Sequence, residues 1–599
     1  MGNKKLKNRE EIPQNYKWNI EAMYADEDAW NTDIQEVLDA VENFASYQGH
    51  LAADAATLAK ALEDKDNIWQ KLEKAFVFAR MKQDEDNRNT KQQAMLDKVN
   101  MIIAKVSAAM SFFTPELLSA SEETLLGYLE TEPKLAKYDF LLRDLLREKQ
   151  HVLSKEEENI LAQLSEVTDA PDSIYTMLSN ADMKFGTIID EDGDEVELTH
   201  GNYIKFMKSH NRSVRQAAFE KMYETYKSLL NTISTAYSFN VKNDVVSARI
   251  RKYPSARYAA LSGGNIPEEV YDNLITVVHD YLPVLHKYVE LRKKVLGVEA
   301  LKMHDVYVPL VELPDTEIPY EEALKIMQEG LAPLGEDYIA RVMEGVNAGW
   351  IDVYENEGKT SGAYSFGSYD SFPYILLNYT DTLQDVFTLV HEMGHSMHSS
   401  YTRETQPFVY GSHSIFTAEV ASTVNESLLI EHLLSKETDP EMRKYLINLH
   451  IEEFRTTLFR QTMFAEFEHK AHQYVEEGGS LTSEWLCDEY EKLNKLYFGP
   501  TMEDDEYIKY EWARIPHFYR AFYVYQYATG YSAATAISKK ILTEGEPARD
   551  AYRKFLTTGD SDYPVELLKI AGVDMGTTEP IILAMETFKN LVEELEELL

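Results

Sequence analysis

His391-Glu392-Met393-Gly394-His395 reads as one turn of a metal-binding helix, and that reading sets what the remaining chain must supply. At 100° per residue the two histidines differ by about 40° in direction and one turn in height, so both imidazoles can reach one ion. Glu392 points about 100° away from His391, beside the ion rather than on it, where a general base for an activated water belongs. The flanking residues have helical spacing. Leu383, Val386, Phe387, Val390, Gly394 and Met397 form an apolar stripe, and Asp381 with Gln384 three residues on is expected to cap its start. Gly394 costs such a helix about 1 kcal/mol against alanine, which predicts close packing of substrate or of another backbone there.

A hydrolytic zinc site needs a third protein ligand and one open position. The metzincin continuation would place Gly at 398 and His at 401, but this chain has His398 and Tyr401. The other common solution is a glutamate from a following helix. Ser414 can cap a helix starting Ile415-Phe416-Thr417-Ala418-Glu419, with Glu419 as the expected ligand. Glu426, two turns further on nearly the same face, is suited to orient a ligand imidazole. The stretch Ser399 to Ser412 lets the chain return antiparallel. His398, about 20° from His391 on the helical wheel, stays a competing ligand two turns away.

Composition narrows the class. The chain has 599 residues, 44% hydrophobic and 27% charged, which fits a globular protein of two or more lobes. Its 101 acidic and 60 basic side chains give a formal charge of −41, which disfavours nucleic acid and anionic membrane as partners. The single cysteine, Cys487, excludes an internal disulfide. Met1-Gly2-Asn3-Lys4-Lys5-Leu6 lacks the apolar core of a signal peptide and puts Leu6 where a myristoylation site needs Ser or Thr. With no apolar run read as long enough to span a bilayer, a cytoplasmic location is expected.

Taken in order, a polar arm leads to a docking segment anchored by Trp18, and helical spacing then runs from about Asp26 to Glu166. Ser154-Lys155-Glu156-Glu157 is a capping box. Phe185–Ile189 and Glu195–Leu198 flank an Asp192-Gly193 turn and predict a hairpin. Helical patterning resumes near Asn202, with Asn211 opening one helix. Trp350–Tyr354 and Tyr374–Tyr379 are strand-like, separated by a small-residue stretch around Gly362-Ala363-Tyr364. This predicts a small sheet just before the metal helix, whose edge could hold an extended peptide through main-chain hydrogen bonds.

The run His391–His398 followed by Phe416-Thr417-Ala418-Glu419-Val420-Ala421-Ser422-Thr423-Val424-Asn425-Glu426 resembles the thimet oligopeptidase group of zinc peptidases, most of all its bacterial oligoendopeptidase F branch. The resemblance implies one zinc ion held by His391, His395 and Glu419, with Glu392 as general base. It also implies a mainly α, two-lobed, clam-like fold whose deep channel admits short unfolded peptides, with lobes expected at 1–199 and 200–599. Arg514–Tyr531 is similar to the group's C-terminal His/Tyr segment, which implies substrate and oxyanion contacts for His517, Tyr523 and Tyr527, with Tyr525 and Tyr531 as alternatives on the same stretch. Gly362, Tyr364 and the Tyr374–Tyr379 strand match where the group places substrate-binding backbone.

The function expected from all this is zinc-dependent endopeptidase action on oligopeptides. Two alternatives stand beside it. A metallocarboxypeptidase or dipeptidyl carboxypeptidase would need a cationic clamp such as Arg514 or Arg520. A non-catalytic peptide-binding protein would have kept the shape without the metal.

Overall fold

The computed structural model describes residues 6–311 and 317–599, so Met1–Lys5 of the N-terminal reading lie outside the described residues. The structure is helical nearly throughout, with one two-stranded and one three-stranded sheet among the described residues. Two compact units emerge, Met1–Gln150 with Thr316–His432 and Ile537–Val573, and His151–Asp315 with Leu433–Ala536 and Asp574–Leu599. The contacts therefore group the chain differently from a cut at 199/200, a position inside the second unit. Periodicity marks which face of a helix is apolar, but not which distant helix covers it.

In the first unit, Glu27–Phe44, Ala55–Glu85 and Thr90–Met110 pack together, and each starts at a side chain that accepts from its first-turn amides: Asp26, Asp54 and Asn89. Trp30 lies in their shared core and donates its indole N–H to the Ala75 carbonyl at 2.9 Å. Thr90–Ser119 corrects one expectation, because by length and mean hydropathy (1.4) it could cross a membrane. Asp97, Lys98 and Lys105 interrupt the run and disguise its average. Its residues Met95, Val99, Ile102 and Val106 are packed in the unit's core.

The N-terminal arm docks as its tryptophan predicts. Trp18 is 1% exposed, donates its indole N–H to Glu85 at 2.8 Å, and sits near the rings of Tyr364 and Tyr374. Beside it Asp352 receives Arg9 at 2.6 Å and Lys359 at 2.7 Å. Burial alone would raise the Asp352 carboxyl, but Lys359 and Arg9 outweigh it and hold it below the ordinary carboxylate range. The stability this contributes is present above the unfolded carboxylate pKa and is lost as pH falls through the folded value. Trp18→Ala is expected to cost about 3–5 kcal/mol in chemical denaturation of the whole chain. A loss under about 1 kcal/mol would show that the arm is not part of the core.

The predicted small sheet is present. β3 (Ile351–Asp352) runs parallel to β5 (Tyr374–Leu376), and β4 (Tyr364–Phe366) pairs antiparallel on the other side of β5, which leaves β4 at an edge. In the second unit, β1 (Thr187–Ile189) and β2 (Glu195–Glu197) form the expected hairpin. Its turn is closed by Asp190 Oδ1, which accepts from the amides of Asp192 and Asp194. The capping boxes at Ser154 and the N-cap at Asn211 are also as read.

Candidate metal centre

The histidine helix spans Leu383–Thr405 and is capped one residue later than expected. Asp381 has φ of 63°, a left-handed conformation unlike the extended one of an N-cap. The box is instead Thr382 with Asp385, whose Oδ2 accepts from the Thr380 and Thr382 amides, both at 3.0 Å. The following helix, Ile415–Lys436, carries Glu419 and Glu426, and Ala418 N–H bonds the Ser414 carbonyl at its start.

Gly394 explains how closely these helices approach. A Cβ at this position would lie 2.6 Å from Ser422 Cα and 2.7 Å from the Ala421 carbonyl oxygen, so of the two predicted neighbours the backbone is the one found. Asn425 adds a bond across the contact, donating to the Val390 carbonyl at 3.2 Å. The neighbouring helix thereby brings one carboxylate to both imidazoles. Glu419 Oε2 is 3.5 Å from His391 Nε2 and 3.5 Å from His395 Nε2. All three ligand atoms lie within 4.8 Å of one another, and among the described residues this is the group able to hold a metal ion. A tetrahedral zinc with bonds of about 2.0–2.1 Å needs ligand atoms about 3.4 Å apart. The donor set fits.

Neighbouring charges match such a site. His391 Nδ1 is 3.2 Å from Glu426 Oε1, which fixes the ring with Nε2 toward Glu419. Burial works against charge on His391, yet Glu426, Glu392 and Glu419 outweigh it and lift the imidazole to about 9. Hydrogen bonding with His395 holds the Glu419 carboxyl down to about 2 despite its burial. Glu392 is 8% exposed, and its carboxyl is raised because burial exceeds the pull of His391 and His395.

His398 is not part of the group. It is 2% exposed, with its ring centroid 3.7 Å from that of His413 and 5.2 Å from that of Phe555, and burial pushes its imidazole far below its ordinary pKa. Two turns of helix carry it past the ion position and into the core.

β4 passes next to Glu392. The Ser365 main chain stabilises the charged carboxylate, and Ser365 Oγ is 2.8 Å from Ser396 Oγ on the histidine helix. No local spacing marks this serine pair, whose two members lie 31 residues apart in the chain. Tyr364 donates its hydroxyl to Asp84 at 2.8 Å and pairs with Leu376 of β5, so its phenol is engaged within the unit. Gly362 is exposed with φ of 83°, and its carbonyl accepts from Asn378 at 2.8 Å.

In the second unit, His517, Tyr523 and Tyr527 form one cluster. His517 and Tyr523 stack at 5.9 Å, and Tyr527 meets their rings edge-on at 6.0 and 5.5 Å. Burial, then Arg520 and Arg460, lower the His517 imidazole and keep it neutral near pH 7. The alternatives Tyr525 and Tyr531 are 2% and 7% exposed, packed against Tyr271 and Phe454, whereas Tyr523 and Tyr527 are half-buried. Arg514 lies over the Tyr203 ring at 4.8 Å, close to the charge of Glu511, and is thus committed within its own unit.

Comparison with known proteins bears on the whole chain. Residues 205–587 match Peptidase family M3, and residues 116–185 match its N-terminal module described as Oligopeptidase F. Oligopeptidase PepF of Bacillus subtilis is 47% identical over 99% of this chain and 89% of its own length. Group B oligopeptidase PepB of Streptococcus agalactiae is 44% identical over 99% and 98%. The crystal structure of oligoendopeptidase-F from Enterococcus faecium is 40% identical with a TM-score of 0.75, covering 95% of this chain and 98% of that one. The chain belongs to peptidase family M3, on its oligoendopeptidase F side, and is a metallopeptidase acting on oligopeptides.

Proposed function

We propose that the chain is a zinc endopeptidase in which His391, His395 and Glu419 hold the ion and Glu392 is the general base. The observation that carries this reading is the single Glu419 oxygen 3.5 Å from both imidazole nitrogens, at tetrahedral spacing. Zinc supplies Lewis acidity there, acidifying water and polarising a carbonyl. Glu392 takes the proton from the attacking water and passes it to the leaving amine, a role favoured by a buried carboxylate whose pKa lies above the usual range. Glu426 holds His391 in the tautomer that presents Nε2.

An extended peptide adds along the outer edge of β4, in the stretch that holds Gly362 and Tyr364. His517, Tyr523 and Tyr527 bind substrate, with His517 and Tyr527 donating to the carbonyl oxygen as it gains charge. Their half-buried, mutually stacked rings and the similarity of the Arg514–Tyr531 segment support that assignment. A cytoplasmic location is supported by the lone buried Cys487.

Peptides blocked at both ends test the reading. Mass spectrometry is expected to show internal cuts in them, lost on chelation and restored by stoichiometric zinc. Trimming only of peptides with a free C-terminus would establish a carboxypeptidase, and cleavage by metal-free protein would overturn the zinc assignment.

A further inference from the structure

Glu468 lies on the Arg460–Glu476 helix of the second unit and is 1% exposed. A carboxylate so deep in a core is costly unless it is paired. Burial raises its carboxyl to about 8, against the attraction of His472. Its Oε1 accepts a 2.8 Å hydrogen bond from one amide, that of Phe522, while Oε2 has no hydrogen-bond partner.

Phe522 is itself unusual. Its φ is 55°, and the other non-glycine residues with positive φ among those described are Lys252, Asn265 and Asp381. For a bulky aromatic this conformation costs about 1–3 kcal/mol and persists only where surrounding contacts impose it. Here the ring is 3% exposed, 4.6 Å from His472 and 6.0 Å from Tyr271. His472 is held in turn by Asp244 at 3.2 Å and by the Glu468 carbonyl at 2.8 Å. The strained residue is gripped at its amide and at its ring.

Its place in the chain gives this a consequence. Phe522 immediately precedes Tyr523 and sits in the reversal that returns the chain from His517 to Tyr523, so that their rings stack. Arg520 N–H closes the first side of the reversal on the His517 carbonyl, and Gln526 N–H opens the next helix on the Tyr523 carbonyl. Among the described residues, Glu468 is the side chain that accepts from the Phe522 amide.

We propose that Glu468 is a positioning residue for peptide hydrolysis: by accepting the Phe522 amide it holds the left-handed turn that sets Tyr523 and His517 for substrate. The inference rests on the reading that His517, Tyr523 and Tyr527 bind the peptide. Glu468→Gln keeps an oxygen for the amide, whereas Glu468→Ala leaves the strained turn without its acceptor.

Steady-state cleavage of an internally quenched peptide by the full-length, zinc-loaded chain tests it. Glu468→Ala is expected to lower kcat/KM by about 10- to 100-fold with unchanged zinc content, and Glu468→Gln to restore it to within about 3-fold. Tyr523→Phe should impair the parent enzyme but add almost nothing in the Glu468→Ala background, because both act through one ring. If Tyr523→Phe and Tyr527→Phe are both silent in the parent, the substrate-binding reading fails. If they matter but Glu468→Ala stays within about 2-fold of the parent, or its effect multiplies with that of Tyr523→Phe, the positioning proposal fails. Should Glu468→Ala not fold, Glu468→Asp draws the oxygen back by one methylene; a fall of about 10-fold or more supports the proposal and parent-like activity overturns it.

Discussion

Glu392→Gln is expected to leave a folded, zinc-loaded protein whose peptide cleavage falls by about 10²- to 10⁴-fold. Glutamine has nearly the same shape, so the position, 8% exposed between the histidine helix and β4, stays filled. It still offers an oxygen to the Ser365 main chain. What it lacks is basicity. Burial raises the native carboxylate against the pull of His391 and His395, and on the proposed reading it is this group that takes a proton from water and passes it to the amine. Zinc content by atomic absorption, measured with cleavage rates of a quenched peptide, separates the loss of base from the loss of metal. Cleavage within about 10-fold of the parent at full zinc occupancy would remove Glu392 from the proton path.

Gly394→Val should separate the two ligand-bearing helices. The ideal Cβ already meets Ser422 Cα at 2.6 Å, the Ala421 oxygen at 2.7 Å and Ser422 N at 2.8 Å, all backbone atoms that cannot rotate aside. Restoring ordinary carbon contacts near 3.5–4.0 Å requires the helices to part by about 1 Å. A better helix former gains under about 1 kcal/mol, while overpacking costs about 1–3 kcal/mol, so the clash wins. The displacement falls on the 3.5 Å separations between Glu419 and the two imidazoles. Zinc affinity is therefore expected to drop by about 10- to 100-fold, with activity restored in part by excess zinc. A competitive chelator titration giving the parent's affinity would show that the glycine serves only packing.

Both predictions depend on side chains that were legible to different degrees. The helix around His391 follows from its apolar stripe, and the direction of Glu426 follows from its two-turn offset from Glu419. His398 shows the limit of such angles. It shares a face with His391 on the wheel, yet its ring packs on His413 and Phe555 in the core. A wheel gives direction, while depth along the helix decides reach. Tyr364 is a similar case, since its hydroxyl partner Asp84 lies 280 residues earlier in the chain. Nothing local announces that bond.

The resemblance points to Tyr523 and Tyr527 with Tyr525 and Tyr531 as alternatives, and what the structure adds is their burial: Tyr525 and Tyr531 are core, Tyr523 and Tyr527 half-buried. Glu468 was invisible as anything but a helical glutamate, because its meaning lies in an amide 54 residues later.

From sequence alone came the helical class and the two histidines and glutamate that the fold brings together as a group able to hold a metal ion. These rest on short-range spacing, where helical geometry converts residue number into direction. Only the tertiary structure decided which stretches share a unit, which tyrosines are core, and that Gly394 meets backbone. Those outcomes depend on contacts between residues far apart in the chain, whose pairing is chosen by the fit of whole surfaces rather than by any local period.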